Sequence, residues 1–227
     1  MVDNASSDGT ADYLSKLNSI ITITNNENNG CAASWNQGVR RSTGEWIIIL
    51  NNDVRLPNHW IDNLITFADQ KCLDVVSPGM REGELNYNLS EYAANYMQKM
   101  AKALRYWTPS GVCFAVRKNV FEKIGLFDEN YKIGQYEDAD FFRRCKNSDL
   151  LMGISGVSFI HHFGSTTQKY IMKYDDNSYS KNNQLYHRKK WKIGFIQRHA
   201  ERYLEQLLLN YWHYKEKLLF GHSLIEN

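Results

Sequence analysis

The sequence predicts an α/β protein, a three-layer α/β/α sandwich on a mainly parallel central sheet with a helical extension at its C-terminus. Three observations carry this. The run Trp46-Ile47-Ile48-Ile49-Leu50 is continuously apolar and of strand length, as in a strand covered on both faces. Across residues 1–168, β-branched or apolar segments alternate with helix-length ones, the alternation that builds a helix-covered sheet. Beyond that point Leu204, Leu207, Leu208, Tyr211 and Leu218 are spaced for one face of a long amphipathic helix.

The polar cluster Asp3-Asn4-Ala5-Ser6-Ser7-Asp8-Gly9-Thr10 is a turn that caps a short helix over 11–18. The β-branched segment 19–24 reads as a strand. A loop over 25–30 leads to a helix over 32–42, stopped by Gly44 before the 46–50 strand. Pro57 opens a helix around 60–70, and Val75-Val76-Ser77-Pro78 is a short strand. Helices are expected over 90–102, 118–124 and 137–145, and strands over 112–116 and 156–161.

The 227 residues are 43% hydrophobic and 13% aromatic, which supplies a core and excludes a disordered chain. We expect one domain over 1–168 and an extension over 169–227. No run of 18 apolar residues suggests a membrane-spanning helix, and residues 1–10 lack the apolar core of a signal peptide. Cys31, Cys72, Cys113 and Cys145 lie far apart without a CxxC pair, so reduced thiols in a cytoplasmic protein are expected.

Charge divides the chain. Residues 1–168 carry 16 basic and 19 acidic side chains, and residues 169–227 carry 11 and 6. Arg188, Lys189, Lys190 and Lys192 surround Trp191. They read either as a solvated helix face or as peripheral contact with the inner face of a membrane, worth about 1 kcal/mol per basic residue. The acidic body carries no nucleic-acid signature, so no nucleic-acid partner is expected.

Three segments could carry chemistry. Asn51-Asn52-Asp53 follows the buried-strand signal, where open α/β sheets bind ligands, so Asp53 is either a turn residue or a hard oxygen ligand for a divalent cation. Tyr136-Glu137-Asp138-Ala139-Asp140 sets three acids at a helix start. They suit the dipole there, and their mutual repulsion leaves one available as a general base, with Arg143 and Arg144 neutralising the others. Ile160-His161-His162-Phe163-Gly164-Ser165-Thr166 ends a strand with an imidazole pair, either structural or completing a metal shell, and Ser165 or Thr166 within reach of a phosphate.

The succession VDNASSDGT, NNG with NQG, TGEWIIILNND, GLFDE, YEDAD and HHFGST resembles the family 2 glycosyltransferases of the GT-A fold, over about three-quarters of the chain. The 183–192 stretch, with Lys190-Trp191, looks like the end of several such enzymes. The resemblance implies transfer of a sugar from a nucleotide diphosphate sugar, with Mn²⁺ or Mg²⁺ bridging the diphosphate. By position it assigns Asp3 to the nucleobase, with Asn4 and Ser6 beside it, and Asn29, Gly30 and Asn36 to the nucleotide pocket. Asp53, next to Asn52, matches the last aspartate of the DxD motif, whose first position is Asn51 here. His162 matches a histidine that reaches the metal, with His161 the second choice. Trp107, Ser110, Gly111 and Glu137 fall on the wall between donor and acceptor. Asp138 matches the catalytic base of a single inverting displacement.

Relative to the family, the chain lacks a first strand and helix, so either the natural protein starts earlier, or the site is incomplete, or another element, the tail helix or a second copy, covers the edge this leaves. The implied setting is polysaccharide or surface glycan synthesis on a glycan or lipid-linked acceptor, with a homodimer as one assembly. The alternative is a non-catalytic nucleotide- or carbohydrate-binding module derived from such an enzyme. A nucleotidyltransferase also sets acids at strand ends, but the glycine-rich phosphate loop it would need near its start is not seen.

Overall fold

Strand β3 (Trp46–Leu50) forms over the residues expected. The computed structural model describes residues 1–164 and 178–226. The other strands are β1 (Val2–Asp3), β2 (Ile23–Thr24), β4 (Val54–Arg55), β5 (Val75–Glu82), β6 (Leu104–Arg105), β7 (Cys113–Arg117), β8 (Met152–His162) and β9 (Ile225–Glu226). The helices are α1 (Thr10–Ser15), α2 (Gly30–Arg41), α3 (Trp60–Gln70), α4 (Leu89–Met100), α5 (Lys118–Ile124), α6 (Glu137–Asn147), α7 (Ser178–Lys190) and α8 (Phe195–Phe220). The domain boundary expected at Gln168, and Ser165 and Thr166 with it, lie outside the described residues.

The main sheet runs β3-β7-β5-β8-β4, with β6 added to β8 and β9 to β5. Its directions are mixed rather than mainly parallel. The β5–β8 and β5–β9 pairs are parallel, while β3–β7, β5–β7, β4–β8 and β6–β8 are antiparallel. An apolar run reports cover on both faces and nothing about a neighbour's direction, so the sequence signal did not contain this.

Successive strand residues point to opposite faces, and the layers follow from that. Ile47, Ile49, Phe114 and Val116 pack with Ala32 and Val39 of α2, Phe121 of α5, and Phe141 and Phe142 of α6. On the other face Ala115 and Val76 meet Leu64 and Ala68 of α3, and Ile154 and Phe159 meet Tyr96 and Met100 of α4. This is the expected three-layer sandwich.

Strands β1 and β2 form a separate parallel pair. Among the described residues β1 is hydrogen-bonded as a strand to β2 alone, and β3 to β7 alone. Helix α2 touches both units, through β1 on one side and β3 on the other.

The tail docks elsewhere. Glu216 of α8 is buried against Arg105 of β6, with Nε–Oε1 2.9 Å and Nη2–Oε2 2.7 Å, and it also accepts from Leu224 N at 2.9 Å. Helix α7 leans on α6. Lys190 Nζ lies 2.6 Å from both Asp128 and Asp140, and Trp191 Nε1 donates to Asp140 Oδ1 at 3.0 Å. The basic run is thus divided, with Lys190 tied to Asp128 and Asp140 and Trp191 half-buried beside them, while Lys189 is exposed.

Candidate active site

The three acids of the 136–140 segment occupy three different environments. Asp140 is fully buried and bound by Trp191, Lys190 and Arg144, whose Nε lies 2.9 Å from Oδ2. It joins α6 to the tail. Arg143 instead stacks over the Trp191 ring at 4.9 Å. Glu137 is buried with Oε2 unpartnered, and desolvation together with the Asp138 charge lifts its pKa to about 7. Asp138 accepts from Ala139 N at 2.7 Å, and desolvation raises its pKa above the ordinary carboxylate value.

Asp138 is fitted to Gly111 on the 107–111 segment. A Cβ at Gly111 would stand 2.0 Å from Asp138 Oδ2. Beside it Ser110 is held by Ser77, whose Oγ accepts from Ser110 N at 2.9 Å, and Trp107 is half-buried. Val112 O then accepts from Asn51 N at 3.0 Å, which brings this segment to the end of β3 and to Asp53.

The two histidines of β8 separate by strand alternation. His162 Nε2 lies 3.3 Å from Asp53 Oδ1, and its Nδ1 lies 3.4 Å from Glu82 Oε2. These carboxylates, Asp53 first, raise the His162 pKa. His161 is fully buried against Tyr87, with its Nδ1 2.8 Å from the Tyr87 hydroxyl, and desolvation lowers its pKa. His162 is therefore the partner of Asp53, and His161 packs under an aromatic cover. Glu82, at the end of β5, carries no signal in the sequence, where it is a lone acid after Arg81 and beyond the 75–78 strand.

Asp3 is buried at the end of β1. Its Oδ1 accepts from Ser6 N at 3.3 Å, and its Oδ2 is an unpartnered buried acceptor. Asn4 is taken up by the neighbouring loop, accepting from Asn25 Nδ2 at 3.0 Å and Asn29 N at 3.1 Å and donating to Asn28 at 2.6 Å. Asn36 does not line a pocket. It is 1% exposed, donates to Phe127 O at 2.9 Å and Glu129 Oε1 at 2.7 Å, and accepts from Phe127 N at 2.9 Å. Both of its Nδ2 protons and its Oδ1 are engaged in locking the 125–129 turn onto α2, and it is buried there. Ser6 and Asn52 are exposed.

The loop before α6 holds strain. Ile133, Gln135 and Tyr136 have φ of 62°, 76° and 75°, conformations that cost side-chain-bearing residues about 1–3 kcal/mol each. Gly30, with φ 84°, admits the loop closely, since a Cβ there would meet Ile133 N at 2.8 Å, and Cys31 N donates to Ile133 O at 2.8 Å. Asn183 of α7 is the clamp. It accepts from Lys132 N at 2.9 Å and donates to Lys132 O and Gly134 O at 2.8 Å. A cavity of about 330 Å³ opens behind this loop, lined by Tyr136, Arg188, Arg198 and Arg202 among others.

These contacts make one continuous rim. It passes from Asp3 and Asn4 through Gly30 to the Ile133 loop, then Asp138, Gly111, Val112 and Asn51, and ends at Asp53 and His162. Asp53 and His162 supply one hard oxygen and one nitrogen. Among the described residues no group of three His, Cys, Asp or Glu side chains is suited to hold a metal ion. A divalent cation here fits only as one that takes its other oxygens from substrate and water, the usual habit of Mg²⁺ at phosphates.

The glycosyl transferase family 2 model matches residues 1–125. Among solved structures, GalNAc-T7 with UDP, GalNAc and Mn²⁺ aligns with a TM-score of 0.54 at 14% identity, covering 71% of this chain and 36% of that one. TarS 1–349 from S. aureus aligns in complex with UDP (TM-score 0.53, 18% identity, 70% and 49% covered). Its complex with UDP-GlcNAc aligns similarly (0.54, 17%, 70% and 47%). The chain thus spans between about a third and a half of the length of these proteins. They share its GT-A fold. No curated protein sequence matches the chain.

Proposed function

The chain belongs to glycosyl transferase family 2, and we propose that it transfers a sugar, with inversion, from a nucleotide diphosphate sugar to an acceptor hydroxyl. The observation that carries this is Asp138. It is seated against Gly111 at the start of α6, with its pKa raised by desolvation, on the rim that also carries Asp53 and His162. A carboxylate so held suits general base catalysis.

In this reading Asp138 takes the proton of the acceptor hydroxyl as its oxygen bonds to the anomeric carbon. The bond from that carbon to the diphosphate breaks on the opposite side, and the nucleoside diphosphate leaves with the electron pair. Asp3 Oδ2, the unpartnered acceptor, receives a nucleobase N–H, and Asn29 and Gly30 shape the pocket floor. Trp107 and Ser110 form the wall along which the acceptor lies, and Glu137, with its pKa lifted to about 7, is about half-protonated at neutral pH behind the base. Asp53 and His162 would hold Mn²⁺ or Mg²⁺, which when bound supplies Lewis-acid stabilisation of charge on the diphosphate. The setting we propose is surface glycan or polysaccharide synthesis on a glycan or lipid-linked acceptor.

The test is thermal unfolding with UDP, GDP, dTDP and CMP, each with Mn²⁺ and again with EDTA. A nucleotide at about one hundred times its Kd adds roughly 2.7 kcal/mol to the native state. A metal-dependent shift with one nucleotide, retained in Asp138→Asn while nucleotide release from the matching donor sugar is lost, is the expected result. A shift with turnover unaffected by Asp138→Asn removes the base assignment. A shift without any turnover from the matching sugars favours the non-catalytic module, and no shift with any nucleotide overturns the reading.

A further inference from the structure

Helix α8 packs on the body through one face and leaves the other bare. Leu209, Trp212 and Phe220 are half-buried and Glu216 is buried, and these residues share one side of the helix. The opposite side carries Ile196 (83% exposed), Leu204 (56%), Leu207 (48%), Tyr211 (54%), Tyr214 (68%) and Leu218 (70%). From Leu204 to Leu218 the steps alternate three and four residues, the seam of a helix that packs against another helix. With Ala200 continuing the seam, this is an unbroken apolar stripe facing away from the body.

We propose that α8 pairs, antiparallel and about a two-fold axis, with α8 of a second copy of this chain. The flanking charges set the orientation. Glu201 and Lys215 lie on the same flank of the stripe, fourteen residues apart. An antiparallel register that layers Leu207 on the partner's Tyr211, and Leu204 on the partner's Tyr214, brings each Glu201 beside a Lys215 and stacks the two Leu208 side chains at the axis. The same register sets Ala200 opposite Leu218. A small residue thus faces a large one, as interdigitation requires. No like charges meet on either flank, and the two bodies lie on opposite sides of the pair.

The size is sufficient. Tyr203, Tyr211 and Tyr214 with Leu204, Leu207, Leu208 and Leu218 expose on the order of 100 Å² each, so the stripe offers roughly 700 Å² per subunit for a partner to cover, within the range of standard specific interfaces. Charge favours a protein partner over a lipid one. Helix α8 carries four Lys or Arg against three Glu, far from the basic face that holds a helix on anionic lipid.

Sedimentation equilibrium of the full chain at micromolar concentration is expected to show a dimer. Leu207→Glu should convert it to a monomer with unchanged circular dichroism, since this side chain touches no core. Glu201→Lys or Lys215→Glu alone should weaken association roughly ten-fold, and the two together should restore it. In a Cys72→Ser background, Leu208→Cys should form a disulfide with its own copy, whereas Lys215→Cys should cross-link only to Glu201→Cys. A monomer at tens of micromolar overturns the proposal, as does a dimer indifferent to Leu207→Glu. A monomer that co-sediments with phosphatidylserine vesicles and loses this in Leu207→Glu assigns the stripe to lipid instead. Self-cross-linking of Lys215→Cys rejects the antiparallel register.

Discussion

Replacing Gly111 by alanine isolates the position of the proposed base from its chemistry. The new Cβ would stand 2.0 Å from Asp138 Oδ2, 2.9 Å from Cγ and 3.2 Å from Cβ. The carboxylate must retreat by more than about 1 Å to reach ordinary contact. The oxygen is the free end of a short side chain, so its rotation relieves most of the clash and the fold should lose less than about 1 kcal/mol. Catalysis cannot absorb the shift as cheaply, because a misplacement near 1 Å costs on the order of 100-fold in turnover, about 2.7 kcal/mol of barrier. The assay is release of nucleoside diphosphate from the donor identified by thermal shift, with the nucleotide's own shift as the binding control. Gly111→Ala should keep that shift and lose about 100-fold in kcat. Adding it to Asp138→Asn should cost little more, since two changes acting on one group are not additive. Turnover within about two-fold of the parent, or a full additional loss in the double variant, would refute the assignment of Asp138 through Gly111.

Glu216→Ala leaves Arg105 buried without its partner and should cost about 3–5 kcal/mol in urea unfolding, with less than 1 kcal/mol excluding an energetic role for the pair. Asn36→Ala should lower stability by about 2–4 kcal/mol and leave nucleotide affinity unchanged, whereas a selective loss of affinity would return Asn36 to the pocket. Glu137 sets a pH slope. Its pKa rises on folding from 4.5 to about 7, so the native state binds the extra proton and this contribution is complete below about pH 4.5 and lost as pH rises through 7. Unfolding at pH 5 and pH 8 should show the parent losing up to about 3 kcal/mol from this group, and Glu137→Gln should remove that part of the slope.

The parts of the fold legible in the sequence are those whose burial is one-sided or complete over several residues. The 46–50 strand and the 60–70 and 118–124 helices carry such patterns and form where expected. Strands β4, β6 and β9 have two residues each, too few to show a period, and their partners lie far away in sequence. For the same reason the 19–24 segment yields only Ile23–Thr24 as strand, because the pairing with β1 is two residues long. In the site, the clusters around Asp53, Asp138 and His162 were legible as clusters. What a single residue does within them was not. Asn36 and Asp3 are both buried polar residues, and only the contacts reveal that Asn36 is saturated while Asp3 keeps an open acceptor.

The tail's part in the site follows from the acids it does and does not bind. Three carboxylates within four residues would each repel the others' charge. The fold resolves this by giving them unequal surroundings, the arrangement that lets neighbouring acids take different roles. Asp140 is charge-compensated by Lys190 and Arg144 and anchored by Trp191. Glu137 is left in a dry, unpartnered position where its proton is retained to about pH 7. Asp138 then has, in Glu137, a neighbouring acid whose charge is about halved at pH 7, and it faces Gly111. Two of the three Asp140 partners named here come from the extension, and Asn183 of the same extension clamps the strained loop that aims α6. Helix α7 is thus part of what sets α6, and with it the proposed base, in position. Loosening it through Trp191→Ala should lower turnover while sparing the nucleotide binding proposed for Asp3, on the far side of the rim.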